Sequence, residues 1–233
     1  MYERVFQRQP SPEEIKNAQD FLKGAVASQQ QRQQPVWQYG WGPADPEIPV
    51  TKRFTRFPFW NAATKTYQFS KAMPHPKRGF TRLTATGGNP GNKDAAIRRW
   101  IAPADGNYGI TGLIRHDRDK GDGIRGRIIH SRQGVLGEWT VHNKDIMARV
   151  IKVEVKKGDT IDFILDCMGN ASNDNFRWTP TVRRLGMPAN MNDGTKTIWS
   201  AQSDFAGPPP PPLMPMGQLA QALLMTNEFL YID

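Results

Sequence analysis

The sequence has a single cysteine, Cys167, among 233 residues. That excludes an internal disulfide framework, a four-cysteine zinc site and a CxxCH haem attachment. No run of about 18 apolar residues occurs, so no transmembrane helix is expected. The opening stretch MYERVFQRQPSPEEI lacks the apolar core of a signal peptide, so no export signal is expected in this chain. There is no P-loop and no GxSxG. GDGIRG (121–126) lacks the helix that a dinucleotide-binding turn must open, and its glycines suit a hairpin instead. His75, His116, His130 and His142 sit in separate segments without HxH or HExxH spacing. Cys167, closing the apolar ILDC, reads as a packed small hydrophobe rather than a nucleophile. With the usual catalytic signals missing, a non-enzymatic protein is expected.

What the chain does have is turn chemistry, in 21 glycines and 19 prolines. Ser11-Pro12-Glu13-Glu14 reads as a helix start, with Ser11 as cap, Pro12 at the first helical position and Glu14 reaching back. Ile15, Ala18, Leu22, Ala25 and Val26 then recur at helical spacing, and the Gln-rich stretch that follows ends at Pro35. From Trp37 to Met187 short β-type runs are divided by GGNPGN, PADGN, DKGDG, KKGD and GNASND. The runs are Arg53–Phe59, Thr66–Phe69, Thr81–Thr86, Ile97–Ile101, Tyr108–Arg115, Ile124–His130, Trp139–Val141, Ala148–Val155, Thr160–Asp166 and Phe176–Arg184. In RVIKVEV (149–155) apolar and charged residues alternate, as in a strand with one wet face.

About ten strands without intervening helices predict a mainly β protein, an antiparallel β-sandwich of jelly-roll type. A short N-terminal and a short C-terminal α-helix flank it. The predicted organisation is a helix with its linker over 1–36, the sandwich over 37–187, a Pro-rich linker over 188–216 and a closing helix over 217–233. Leu219, Ala222, Leu223, Thr226 and Leu230 lie along one face of that helix. Both helices are too short to stand alone, so they pack on each other, on the sandwich or on a partner.

Charge and aromatics concentrate in the sandwich region. Residues 37–187 carry 25 Lys/Arg against 14 Asp/Glu, a net of +11, whereas the flanks have a net of −2. Such a field attracts polyanions, although the bland account is that Arg and Lys fill wet strand faces. No basic block of five or more occurs, and nucleic acid is not the expected partner. Six of seven tryptophans lie here, and most should fill the core. Trp41 and Trp139, beside glycines, are the candidates for stacking on a sugar ring. The loops Asp117–Asp122 and Asp166–Asp174 are rich in oxygen donors, which makes calcium a candidate cofactor with Asp122, Asp166 and Asp174 as nominal ligands.

Several segments in order resemble a known family. RVFQRQPSPEEIKNAQDFL (4–22), WQYGWG (37–42), GGNPG (87–91), IRRWIAPADGNYGITG (97–112), GDGIRGRI (121–128), GEWTVHN (137–143), KKGDTIDFILDC (156–167) and GQLAQALLMTNEFLYID (217–233) are similar to the C-terminal portion of large secreted planctomycete proteins. Those proteins join a cytochrome-c-like domain to two domains of unknown function. The resemblance implies a β module inserted between helices of a larger α domain, and a periplasmic or extracellular setting. Asn89 stands where that family's motif has His. With no CxxCH, no haem is implied here.

The expected function is a non-catalytic module binding a polysaccharide-like polymer, acidic ones included. Arg98, Arg99, Arg125, Arg127, Trp139 and His142 are the candidate contacts. The alternatives are an assembly module docking through its terminal helices onto the rest of an α domain or another chain, and a glycan-processing enzyme. The last needs two carboxylates about 5–10 Å apart in a groove, and Asp117, Asp119 and Asp122 are the residues to test.

Overall fold

The computed structural model describes residues 2–30, 35–43, 45, 48–187, 196–209 and 213–225. Most of the predicted connector after Met187, part of the proline run and the last turns of the closing helix lie outside the described residues. In chain order, α1 (Tyr2–Phe6) and α2 (Pro12–Gln30) precede β1 (Trp37–Pro43), α3 (Val50–Arg53), β2 (Thr55–Arg56), β3 (Phe59–Asn61), β4 (Thr66–Gln68), β5 (Arg82–Leu83) and β6 (Gly87–Asn89). The longer strands follow: β7 (Asp94–Ile101), β8 (Gly106–His116), β9 (Ile124–His130), β10 (Gly134–Val141), β11 (Lys144–Val155) and β12 (Thr160–Cys167). Then come β13 (Phe176–Trp178), β14 (Thr181–Arg184), β15 (Ile198–Ser200) and α4 (Pro215–Leu224).

The chain divides into two compact units, Met1–Gln34 with Pro209–Asp233, and Pro35–Pro208. In the first unit α2 begins on a reciprocal capping box. Glu14 N–H donates to Ser11 Oγ at 3.2 Å, and Ser11 N–H donates to Glu14 Oε2 at 2.7 Å. Arg8 adds two hydrogen bonds to the same carboxyl and holds it down at about 2. Helix α2 packs against α4, with Ala25 and Leu223 buried.

The second unit is an antiparallel β-sandwich. One sheet has the order β10-β9-β12-β7-β1-β2; the other runs β15-β14-β8-β13-β6-β5-β4-β3, with β11 paired to β8. From β7 to β13 the chain crosses between sheets at almost every step, as a jelly roll does. Alternate residues point inward and interdigitate, so Trp100, Trp178, Tyr108, Phe163, Ile114 and Ile128 form the centre of one core. Trp37, Trp100, Trp178 and Trp199 are buried there, the ordinary use of tryptophan in a sandwich.

The outer face of the first sheet is also covered. Ala95, Ile97, Ile129 and Ile164 are buried on it, with Phe54 packed against them. The segment carrying Phe54 runs so close to β1 that only glycine fits beneath it. A Cβ on Gly42 would stand 1.6 Å from Arg53 O, and one on Gly40 would stand 2.2 Å from Thr55 O. That close approach explains the glycines of WQYGWG.

Three expectations need correction. Arg53–Phe59 is not one strand; Arg53 ends α3, and Pro58 separates β2 from β3. Phe176–Arg184 breaks at Thr179-Pro180, because proline cannot donate to the ladder. Residues 196–208, predicted as linker, belong to the sandwich unit: β15 pairs with β14 and buries Trp199 and Ala201. Both long edge strands carry an irregularity, between Val135 and Gly137 in β10 and between Val150 and Val153 in β11.

Gly42→Ala should destabilise the sandwich by about 3 kcal/mol or more, the scale of overpacking against backbone. Gly24→Ala in α2, where a Cβ meets nothing within 4 Å, should be neutral or stabilising by about 0.5–1 kcal/mol. Urea unfolding of the two variants checks both.

Candidate functional site

Strand register decides the fate of the four candidate arginines. In β7 the side chains of Ala96, Arg98 and Trp100 face the core, while those of Ile97 and Arg99 face outward. Asp162 of β12 sits directly opposite Arg99, and Asp166 directly opposite Arg125 of β9. Arg99 donates to both oxygens of Asp162 at 2.7 and 2.8 Å. Arg125 donates to Asp166 Oδ1 at 3.1 Å, and Arg127, one pleat along, donates to Asp166 Oδ2 at 2.6 Å. The result is an ion-pair ladder across three strands. Burial pushes both carboxyls above the usual range, and the guanidiniums beside them pull the other way.

Arg127 is fully buried, so it is not a ligand contact, and Asp166, with both oxygens taken by Arg125 and Arg127, is not a calcium ligand. Arg98 is buried too, pointing between the sheets. It donates to Thr84 O at 2.8 Å and Gly87 O at 3.0 Å, and burial pulls its guanidinium down to about 10. Burial likewise pushes up the hydroxyl of its neighbour Tyr39. Arg99 and Arg125 keep partial exposure, but both guanidiniums are committed to the ladder. Trp139 is half-buried, folded over Gly137 and packed on the core. His142 is exposed, with its ring 5.6 Å from that of His116. The six candidate contacts therefore do not form one surface.

A cleft of about 730 Å³ forms elsewhere, from three loops. One wall is the turn around residues 77–80, clamped by paired backbone hydrogen bonds between His75 and Gly79 at 2.8 Å. The floor is residues 89–94, between β6 and β7, and the second wall is residues 171–175, after β12. Asn92 Oδ1 accepts Ala171 N–H at 2.7 Å and Cys167 Sγ donates to Gly91 O at 3.5 Å, joining floor to second wall.

The cleft's charges are not equivalent. Arg78 donates to Asp94 at 2.5 Å and stacks over Trp41 at 4.2 Å, so it is spent on structure. Among the described residues, the ammoniums of Lys77 and Lys93 have no ion-pair partner, and the side-chain amides of Asn173 and Asn175 make no hydrogen bond. Phe80 is 52% exposed at the rim. The arrangement offers cations, amides and one apolar face to a polar ligand. Asp94 is the one carboxylate among the described lining residues, so a hydrolytic pair of carboxylates is not formed there. In the sequence, GGNPGN (87–92) stands out as a turn and GNASND (169–174) as a turn in an oxygen-rich loop, whereas nothing marks 77–80.

Of the nominal calcium ligands, Asp122 and Asp174 do come together. Burial, with the Asp122 carboxyl alongside, pushes Asp174 up to about 7. No group of three or more His, Cys, Asp or Glu side chains among the described residues is placed to hold a metal ion. Burial, followed by the charges of Asp174, Asp166 and Asp122, pushes the Cys167 thiol up to about 11.

No protein-family model matches the chain, and no curated protein matches it. Among solved structures it is similar to a PA14 sugar-binding domain from an RTX adhesin, at 12% identity and TM-score 0.29, covering 49% of this chain and 55% of that one. It is also similar to rabbit GITRL, at 15% identity and TM-score 0.28, covering 40% and 73%. A family 35 carbohydrate binding module from Clostridium thermocellum aligns at 9% identity and TM-score 0.26, covering 48% and 84%. The chain thus spans little more than half of the adhesin domain. Likenesses of this degree decide nothing about a ligand. No described helix is long and apolar enough to cross a membrane.

Asp162→Asn should cost about 3–5 kcal/mol in urea unfolding, because it strands the Arg99 guanidinium against a neutral partner in a largely buried site. Arg125→Ala should cost less, since Arg127 still neutralises Asp166. Alkylation of Cys167 by iodoacetamide at pH 8 should be slower than for an ordinary thiol by about a hundredfold, two pKa units less thiolate. The rate should keep climbing with pH up to about 11.

Proposed function

We propose that the sandwich unit is a non-catalytic binding module for an acidic polysaccharide, taken in the cleft between residues 77–80, 89–94 and 171–175. The observation that carries this reading is the set of uncommitted groups there: Lys77 and Lys93 ammoniums, Asn173 and Asn175 amides and the exposed Phe80 ring. Uronate or sulfate groups suit the ammoniums, hydroxyls suit the amides, and the apolar face of a pyranose suits an aromatic ring. The envelope setting implied by the planctomycete resemblance would supply such polymers, and the chain would there be one part of a larger protein.

A second reading, assembly through the helices, has its own support. Ile15 and Phe21 of α2, with Met216 and Leu224 of α4, are exposed. Concentration-dependent self-association in light scattering supports that reading, and a strictly monomeric chain counts against it.

Calorimetric titration with a uronate polymer should show binding that weakens as salt rises. Lys77→Ala and Lys93→Ala should each lower affinity roughly tenfold or more, since one charge-assisted hydrogen bond is worth about 1.5–3 kcal/mol. Phe80→Ala should weaken it further, whereas Arg125→Ala should leave it unchanged. Equal binding of neutral and acidic polymers, or full affinity in the Lys77→Ala/Lys93→Ala double variant, would overturn the cleft assignment.

A further inference from the structure

Asp174 lies between two residues that line the cleft but is itself not part of its lining. It is fully buried, and neither of its carboxylate oxygens has a hydrogen-bond partner of good geometry. Its nearest cationic candidate, His116 Nε2, is 3.4 Å away and is already placed to donate to Asn173 O at 3.1 Å. His116 Nδ1 accepts Asn143 N–H at 3.2 Å, which fixes the neutral tautomer with its proton on Nε2. The groups that face Asp174 are the carboxyl of Asp122, which pushes it up, and the backbone N–H of Gly123, which pulls it down. Two carboxylates side by side, one without access to water, form an arrangement that a fold keeps by neutralising it, with a bound cation or with a shared proton.

Backbone geometry brings a third oxygen close to Asp174, the carbonyl of Ser172. A Cβ on Gly121 would stand 2.8 Å from Ser172 O and 3.0 Å from Asp174 Oδ1, so only glycine lets this backbone pass close to both oxygens. Gly121 has φ +96°, a conformation that side-chain-bearing residues rarely adopt. Across the pair, a Cβ on Gly169 would stand 2.6 Å from Asp122 Oδ2. That oxygen accepts Asn170 N–H at 3.0 Å, which leaves Asp122 Oδ1 to point elsewhere. Every donor here is a hard oxygen, from two carboxylates and a peptide carbonyl.

We propose that Asp122 and Asp174, with the Ser172 carbonyl, bind a divalent cation of the calcium class between the 117–123 and 168–175 loops. Two carboxylates neutralise the double charge, and water completes the six to eight oxygens that calcium takes. Magnesium demands a tighter octahedron and is the poorer fit. Asp166, held by Arg125 and Arg127, takes no part. The proposal does not depend on the glycan reading, and its test uses the metal alone.

The test is calorimetric titration of the full chain with calcium chloride in chelator-treated buffer at pH 8, alongside thermal melting in calcium and in EDTA. One equivalent of calcium should bind and raise the melting temperature. Asp174→Asn and Asp122→Asn should each lose both effects, while Asp119→Asn, an exposed acid outside the pair, should keep them. Asp122 is exposed, so its variant reads out the site even if Asp174→Asn folds poorly. Absence of calcium binding in the wild-type chain overturns the proposal. So does binding that survives in Asp122→Asn; a shared proton then neutralises the pair.

Discussion

Strands β7, β12 and β9 are buried on both faces, so the charges they carry need partners inside the protein. An isolated ion in such a place costs several kcal/mol; on the inner face Arg98 is held by the carbonyls of Thr84 and Gly87, and on the outer face each charge meets one of opposite sign. The antiparallel register meets that requirement by setting Asp162 against Arg99 and Asp166 against Arg125. The cover over the same face imposes a second condition, met by Gly40 and Gly42, whose missing side chains let residues 53–55 lie on β1. Pairing and cover go together: without the covering segment the ladder would be an ordinary solvated face.

That difference is where sequence reading ran out. The alternation in RVIKVEV and in IRGRIIH has the same period, and period alone places side chains on two faces without saying whether the second is wet. For β11 it is wet, and Arg149, Lys152 and Glu154 are exposed; for β9 it is covered, and Arg127 is buried. The strands themselves were legible because Gly, Asn and Asp turns bracket them, as at Gly158-Asp159 before β12. The helix start at Ser11 was legible to the atom, since a capping box is a local interaction. β15 was not, because three residues beyond a Pro- and Asn-rich stretch carry no usable period, and only pairing with β14 makes them a strand.

The cleft was illegible for a related reason. Its residues come from turns separated by up to about a hundred positions, and Lys77, Lys93 and Asn175 have nothing in their local sequence to mark them. Turn composition located the loops at 87–92 and 169–174 but not the turn at 77–80; only the sandwich, by bringing them to one side, made them neighbours. Asp122 and Asp174 were legible as an oxygen-rich pair of loops, and the third member of that set, Asp166, failed because its outward position on β12 belongs to the ladder.

The irregular edges have a consequence for how the molecule behaves in company. β10 and β11 pair with β9 and β8, and among the described strands nothing hydrogen-bonds to their far sides. A straight edge of that length would be a template for a strand from another molecule. The interruptions at Val135–Gly137 and Val150–Val153 throw the open N–H and C=O groups out of step, and exposed Lys144, Asp145, Arg149, Lys152 and Glu154 add charges along β11. A concentrated solution of this protein is therefore guarded against growth by strand addition at the very place where two of its longest strands stand open.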